Sequence, residues 1–374
     1  MRLLSLDIFR GLTIAAMLLV NNPGDWGHVY APLLHAHWHG WTPTDCIFPF
    51  FVFISGVSMH LSLARRAQAG ADKGQLLATT ARRALLIIAI GVLLNGFPFY
   101  DLATLRLPGV LQRLGLCTLC AAPLVLGCGA RGLWLWALGL LAAYAAVQLA
   151  LPVPDASGLV HTGALQPGQD VGAWLDRALF GTAHLWAQAG TWDPEGLLST
   201  VPAVASQLLG VLAGRELTST ASPRQRALRW AAAGVLALVL SQLLDATLMP
   251  INKSLWTPPF VLLSTGWALL VLAGLHAWVD APAHPARPAP RALLPFVVFG
   301  MNALFLYIVA GVLARLLELL PVGGGQHLGQ ALYAPIVALG LAPELASLLH
   351  ALAFVAVLFG VALFLYRRRW FVKV

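Results

Sequence analysis

The chain has 374 residues, 59% hydrophobic and only 10% charged, with a mean hydropathy of +0.78. A soluble globular domain carries nearer a quarter charged residues. This composition therefore excludes an ordinary soluble fold and predicts an all-α, polytopic membrane bundle forming a single domain over 1–374. The formal charge of +8 does not imply nucleic acid, because the basic residues gather at the ends of apolar segments and no basic-aromatic surface accompanies them.

A membrane span needs about 20 mostly apolar residues. Ten segments qualify in chain order: 8–21, 45–63, 81–97, 107–128, 132–151, 196–214, 227–246, 259–279, 292–317 and 343–366. Arg2 precedes the first, but no small-residue cleavage site follows, and Asp7 and Arg10 interrupt the run. A retained first span is predicted rather than a cleaved signal peptide. The segment 328–341 is too short and too broken by Pro and Gly to cross alone, and is predicted as a re-entrant or interfacial piece.

Charge then sorts the connections. The turns at 64–80 (Arg65, Arg66, Lys73, with Arg82 and Arg83 just beyond), 129–131, 215–226 and 280–291, with the tail Arg367-Arg368-Arg369, hold most of the 23 Lys and Arg. The turns at 22–44, 98–106, 152–195, 247–258 and 318–342 hold few. The positive-inside bias places the first set in the cytoplasm together with both termini, which carry Arg2 and Lys373. The longest external stretch, 152–195, contains Val171–Trp186 with apolar residues near helical spacing. It predicts a cap with an amphipathic helix, packed on the bundle, lying on the membrane or lidding a cavity.

Polar groups at membrane depth must pair internally or line a wet cavity. Asn21, Asn95, Asn302, Arg113, Asp245 and His350 fall inside or near spans, and Asn252 and Lys253 follow one in P-I-N-K-S-L-W. A polar interior follows; a transport path, a catalytic chamber and helix–helix glue all satisfy it. Cys117 and Cys120 form a C-x-x-C without a second ligand pair, and with Cys46 and Cys128 read as small core residues.

The most informative stretch is the loop H-A-H-W-H-G-W-T-P-T-D at His35–Asp45, between two apolar segments. The alternation of His35, His37 and His39 puts three imidazoles on one face of an extended segment, a pattern that suits zinc. Trp38 and Gly40 instead suggest a turn, no Cys or Glu ligand is near, and no metal is expected. A histidine oriented by a carboxylate such as Asp45 suits proton transfer near neutral pH, and solvated loop histidines are the bland alternative. Asp7 and Arg10, three apart on one helical face, pair to neutralise the end of the first span; Arg10 also has the planar fork that suits a phosphate.

Seven ordered blocks resemble the heparan-α-glucosaminide N-acetyltransferase family: S-L-D-I-F-R-G-L at Ser5–Leu12, V-N at Val20–Asn21, the His35–Asp45 block, F-P-F-F-V-F-I-S-G at Phe48–Gly56, R-L-P-G-V-L-Q-R-L-G at Arg106–Gly115, P-I-N-K-S-L-W at Pro250–Trp256 and G-M-N-A-L at Gly300–Leu304. The resemblance implies transfer of an acetyl group from cytoplasmic acetyl-CoA to a glucosamine amine across the membrane. It places the active-site histidine at His35, with Asn21 and Asp45 beside it. His37 and His39 stand where the family often has a small residue and an asparagine, which bears on acceptor choice. The extra N-terminal region of the lysosomal enzyme has no counterpart here, so a bacterial relative in the inner membrane is expected, with the His35 loop on the periplasmic face; a homodimer matches the resemblance.

On this reading His35 takes the amine proton or carries the acetyl group, and Asn21 donates to the developing oxyanion. Trp38, His39, Asn252 and Lys253 are expected against the sugar or glycan acceptor, and Arg10, Arg113 and Asn302 along the acetyl-CoA path. Arg82, Arg83, Arg291 and Arg368 are candidates for its phosphates. Two other functions compete: an amino-sugar or oligosaccharide transporter, for which no matched pair of broken helices is evident, and an O-acyltransferase acting on a cell-envelope glycan.

Overall fold

The computed structural model describes residues 3–280 and 290–372, so Arg2, Lys373 and most of the 280–291 turn lie outside the described residues. The regular structure is helical apart from one short hairpin, β1 (Pro152–Pro154) antiparallel to β2 (Val160–Thr162), and an isolated bridge between Pro321 and His327. The helices are α1 (Leu4–Val20), α2 (Pro43–Gln68), α3 (Lys73–Gly96), α4 (Val110–Gly127), α5 (Ala130–Ala150), α6 (Val171–Phe180), α7 (Leu197–Glu216), α8 (Pro223–Thr247), α9 (Pro258–Val279), α10 (Leu294–Met301), α11 (Ala303–Leu319), α12 (Leu328–Val337) and α13 (Pro343–Arg367).

Eight of these are long and apolar enough to cross a membrane, against the ten spans expected. The ninth expected span is a broken pair: Arg291–Met301 and Ala303–Leu319 meet at a 77° bend. Asn302 sits at the break with φ −131° and ψ 37°, and its side chain bonds the chain end instead of riding mid-span. The first expected span, α1, falls short as well, with 17 residues. At 1.5 Å per residue it reaches roughly 26 Å, just short of a hydrocarbon core of about 30 Å.

Two compact units divide the chain. The first takes residues up to His35, then Thr42–Ile47 and Leu275–Lys373. Within it α1 packs on α10 and α13, and the backbones approach at glycines: a methyl at Gly11 would run into the Phe296 carbonyl, and one at Gly300 into the Asp7 carbonyl. In lipid the apolar surroundings give no drive to helix pairing, so close backbone packing at small residues has to supply it. Asp280 accepts the backbone N–H of Ser5 at 3.3 Å and contacts His276 at 3.2 Å, tying the start of α1 to the end of α9.

The second unit takes Ala36–Trp41 and Phe48–Gly274. Its core runs through Val52, Leu133, Leu208, Trp256 and Phe260, all essentially sealed. Gly56 meets the Gln207 carbonyl and Gly210 the Phe53 carbonyl, the same small-residue contact between α2 and α7. One π-helical turn at His60–Ala64 interrupts α2. The predicted cap helix is α6, capped by Asp170, whose Oδ1 accepts the Ala173 N–H at 3.1 Å. It buries Val171, Gly172, Ala173 and Asp176 against protein and packs on α7, so a packed cap describes it. The segment 328–341 contains only the ten-residue helix α12, which packs between α11 and α13.

Candidate active site

The loop histidines divide between the two units. In the first, Thr42 opens α2 as a capping box: its backbone N–H donates to Asp45 Oδ2 at 2.9 Å, from a Thr-Pro-Thr-Asp start whose proline suits the first helical position. The hydroxyls of Thr42 and Thr44 donate to the carbonyls of Leu34 at 2.6 Å and Pro32 at 3.0 Å, pinning the segment that leads into His35. His35 Nδ1 then lies 2.7 Å from Asp45 Oδ1. The Asp45 side chain is 1% exposed and that of His35 49%. An ionised carboxylate only accepts, so Nδ1 carries the proton and the lone pair of the neutral ring is on Nε2. That is the arrangement of an oriented base.

In the second unit the same loop meets the P-I-N-K-S-L-W turn. Asn252, fully buried, donates from Nδ2 to the Trp38 carbonyl at 2.9 Å and lies 3.3 Å from His39 Nδ1, while the Gly40 N–H donates to the Ile251 carbonyl at 2.8 Å. Asn252 Oδ1 accepts the Leu255 N–H at 2.9 Å. The Trp38 indole donates to the Leu165 carbonyl at 2.7 Å and stands edge-on to Trp192, with centroids 4.8 Å apart. Burial lowers the His39 pKa, opposed by the Asp245 carboxylate, and favours its neutral form. Lys253 lies in the same turn, its carbonyl accepting the Trp256 N–H at 3.0 Å.

Other expected site residues are bound into the protein. Asn21 is the exposed C-cap of α1, and no hydrogen bond joins it to His35 or Asp45 among the described residues. Arg10 and Asp7 pair at 3.4 Å, as their spacing predicts. Arg113 is buried; its Nη2 donates to the Gly196 carbonyl at 3.1 Å and to Ser199 Oγ, and its guanidinium lies 5.0 Å from the Trp256 ring centroid, so it links α4 to the start of α7. Asn302 donates to the Trp370 carbonyl at 3.0 Å and accepts the Val372 N–H at 2.8 Å. Arg82 and Arg83 lie within α3, Arg291 opens the short turn before α10, and Arg368 is the C-cap of α13, 5.7 Å from the Phe364 ring centroid. His37 is exposed, and no group of three metal-ligating side chains occurs among the described residues.

An acidic cluster in the cap went unread in the sequence. Arg106 donates from Nε and Nη2 to Asp193 at 2.8 and 2.6 Å and from Nη2 to Glu195 at 2.6 Å. Burial would lower the Arg106 pKa; the two carboxylates more than offset it and hold the pKa above its ordinary value. Asp176 accepts the Leu197 N–H at 2.9 Å, and burial pushes its carboxyl up to about 7 against that hydrogen bond. Burial likewise raises Asp170. The signal available in the sequence was T-W-D-P-E-G at Thr191–Gly196, two carboxylates beside a predicted span with an arginine in the facing external turn.

The described geometry can be set beside known proteins. The model of the catalytic heparan-alpha-glucosaminide N-acetyltransferase family matches residues 2–176, a stretch that includes the His35–Asp45 block. Heparan-alpha-glucosaminide N-acetyltransferase of Mus musculus is 31% identical over 360 residues, covering 82% of this chain and 53% of that protein. Its Homo sapiens counterpart is also 31% identical over 360 residues, covering 82% of this chain and 52% of its own length. The chain spans about half the length of these curated relatives.

Proposed function

The chain belongs to the heparan-α-glucosaminide N-acetyltransferase family, and on that premise we propose that it transfers an acetyl group from acetyl-CoA to the amine of a glucosamine-type sugar. The observation that carries the proposal is the His35 Nδ1–Asp45 Oδ1 contact of 2.7 Å, with the carboxylate sealed and the imidazole half-exposed. A protonated amine has no lone pair with which to attack a thioester. His35 Nε2 takes that proton, the amine nitrogen bonds to the acetyl carbon, the carbon–sulfur bond breaks, and the leaving thiolate takes up the second proton that the nitrogen sheds, so that CoA departs as the thiol. Asp45 holds the ring in the required tautomer and stabilises the imidazolium. Asn21 is the oxyanion donor in this reading, which requires its exposed side chain to turn toward the reacting carbonyl.

The whole chain acts as one catalytic domain in the inner membrane of a bacterium. Its arginine-rich turns and both termini lie in the cytoplasm, where acetyl-CoA is made, and the His35 loop lies on the opposite face. Arg10, Arg82, Arg83, Arg291 and Arg368 attract the CoA phosphates, and Trp38, His39, Asn252 and Lys253 flank the sugar.

The test is CoA release by the purified protein with acetyl-CoA and glucosamine, run beside His35→Ala. Sugar-dependent release that vanishes in the variant supports the proposal. Release unchanged in the variant removes His35 as the base. Absent release, with labelled glucosamine crossing proteoliposomes, refutes the enzyme and leaves a transporter.

A further inference from the structure

The second unit holds a cavity of about 860 Å³ bounded by α5, α7, α8 and α9, within the range of about 300–1,000 Å³ typical of ligand sites. None of its lining residues belongs to the His35–Asp45 block or to the Pro250–Trp256 turn, and it has no part in the chemistry above. Leu138, Leu209, Leu240 and Leu262 are among its lining residues, and α8 turns exposed leucines and valines outward along its edge. One end is different. There the start of α5 brings Trp134, the end of α7 brings Arg215 and Glu216, and the start of α8 brings Arg229 and Trp230. From Arg229 to Leu248, both in the lining, α8 rises through 19 residue steps, or roughly 29 Å, about the thickness of the hydrocarbon core.

The charges at that end do not cancel. Arg229 pairs with Glu216 at 3.1 Å. Among the described residues, no hydrogen bond or ion pair engages the Arg215 side chain. The turn between the helices adds Arg224 and Arg226, so residues 215–229 hold four arginines and one glutamate. Arginine's planar fork matches two phosphate oxygens, and tryptophan favours the headgroup level.

We propose that the cavity is a binding site for one anionic phospholipid, its phosphate held by Arg215 and Arg229 and its acyl chains lying along the leucines between α5 and α8. The lipid belongs to the leaflet at the arginine end, the cytoplasmic one in the topology proposed above. CoA fits poorly, because past the charged end Thr265 is the one polar side chain in the lining, and the two amides of a pantetheine arm would lie there without partners. A second copy of the chain also fits poorly. A two-fold axis along the membrane normal keeps like ends at like depth and sets one arginine rim against the other.

The full chain is reconstituted in vesicles with chain-brominated phosphatidylglycerol or phosphatidylcholine, and quenching of Trp134 is taken as the difference from Trp134→Phe. The expected result is half-maximal quenching by the anionic lipid at a mole fraction on the order of tenfold lower. In Arg215→Gln/Arg229→Gln the two lipids draw together to within about twofold. Native mass spectrometry of the unaltered protein, released from mixed micelles, is expected to retain phosphatidylglycerol over phosphatidylcholine, and tests the proposal even if the double variant misfolds. Equal quenching and equal retention by both lipids overturn the proposal. So does loss of quenching on adding CoA, or an efficient Leu240→Cys cross-link between copies at high dilution in lipid.

Discussion

Replacing Asp45 by Asn isolates the role of one oxygen. The carboxylate accepts two N–H groups, His35 Nδ1 on Oδ1 and the Thr42 backbone on Oδ2, and is 1% exposed. An amide has one oxygen and one NH₂, so it can satisfy one of these donors and opposes the other. If its oxygen keeps the Thr42 N–H and the helix start intact, the NH₂ faces Nδ1, and the ring must carry its proton on Nε2. The lone pair then points at the amide and the base is lost. General-base catalysis is worth about 10²–10⁴ in rate, so kcat is expected to fall by about that factor. Stability changes far less, since a charge-assisted bond of roughly 1.5–3 kcal/mol gives way to a neutral one of about 1 kcal/mol. The assay is steady-state CoA release with glucosamine, paired with a tryptophan-fluorescence melt. A kcat within about threefold of the parent, at unchanged Tm, refutes the claim that Asp45 sets the tautomer.

Two further outcomes follow from buried groups. The Asp176 carboxyl, raised from 3.8 to about 7 in the fold, binds more protons when folded than when unfolded between those values. Stability therefore falls as pH rises from about 4 to about 7 and levels off above, by roughly 4 kcal/mol at most; melts across that range should show a shallower slope in Asp176→Asn than in the parent, with Asp170 keeping its own share, and a slope that the substitution leaves unchanged refutes the assignment. Gly11→Ala should abolish the folded first unit rather than weaken it slightly, because the added methyl meets the Phe296 backbone carbonyl and no side chain can move aside; size-exclusion of a monodisperse, parent-like variant would overturn that reading.

The sequence alone determined a membrane bundle of helices, because apolar length and charge asymmetry are local properties that need no tertiary information. It also determined the pairing of Asp7 with Arg10, which helical spacing dictates, and the choice of Asp45 as the partner of a loop histidine. Three matters belonged to the tertiary structure. The ninth expected span is broken at Asn302, which bonds to Trp370 and Val372, 68 and 70 residues away. The fate of Arg113 turned on Gly196 and Ser199, which make it a strut between helices, a role that the motif around it does not encode. The neighbours of the histidine loop came from afar as well: Asn252 reaches Trp38 across 214 positions, and Leu165 across 127. Periodicity and charge record what each segment faces; which distant segment faces it is decided only when the whole chain has packed.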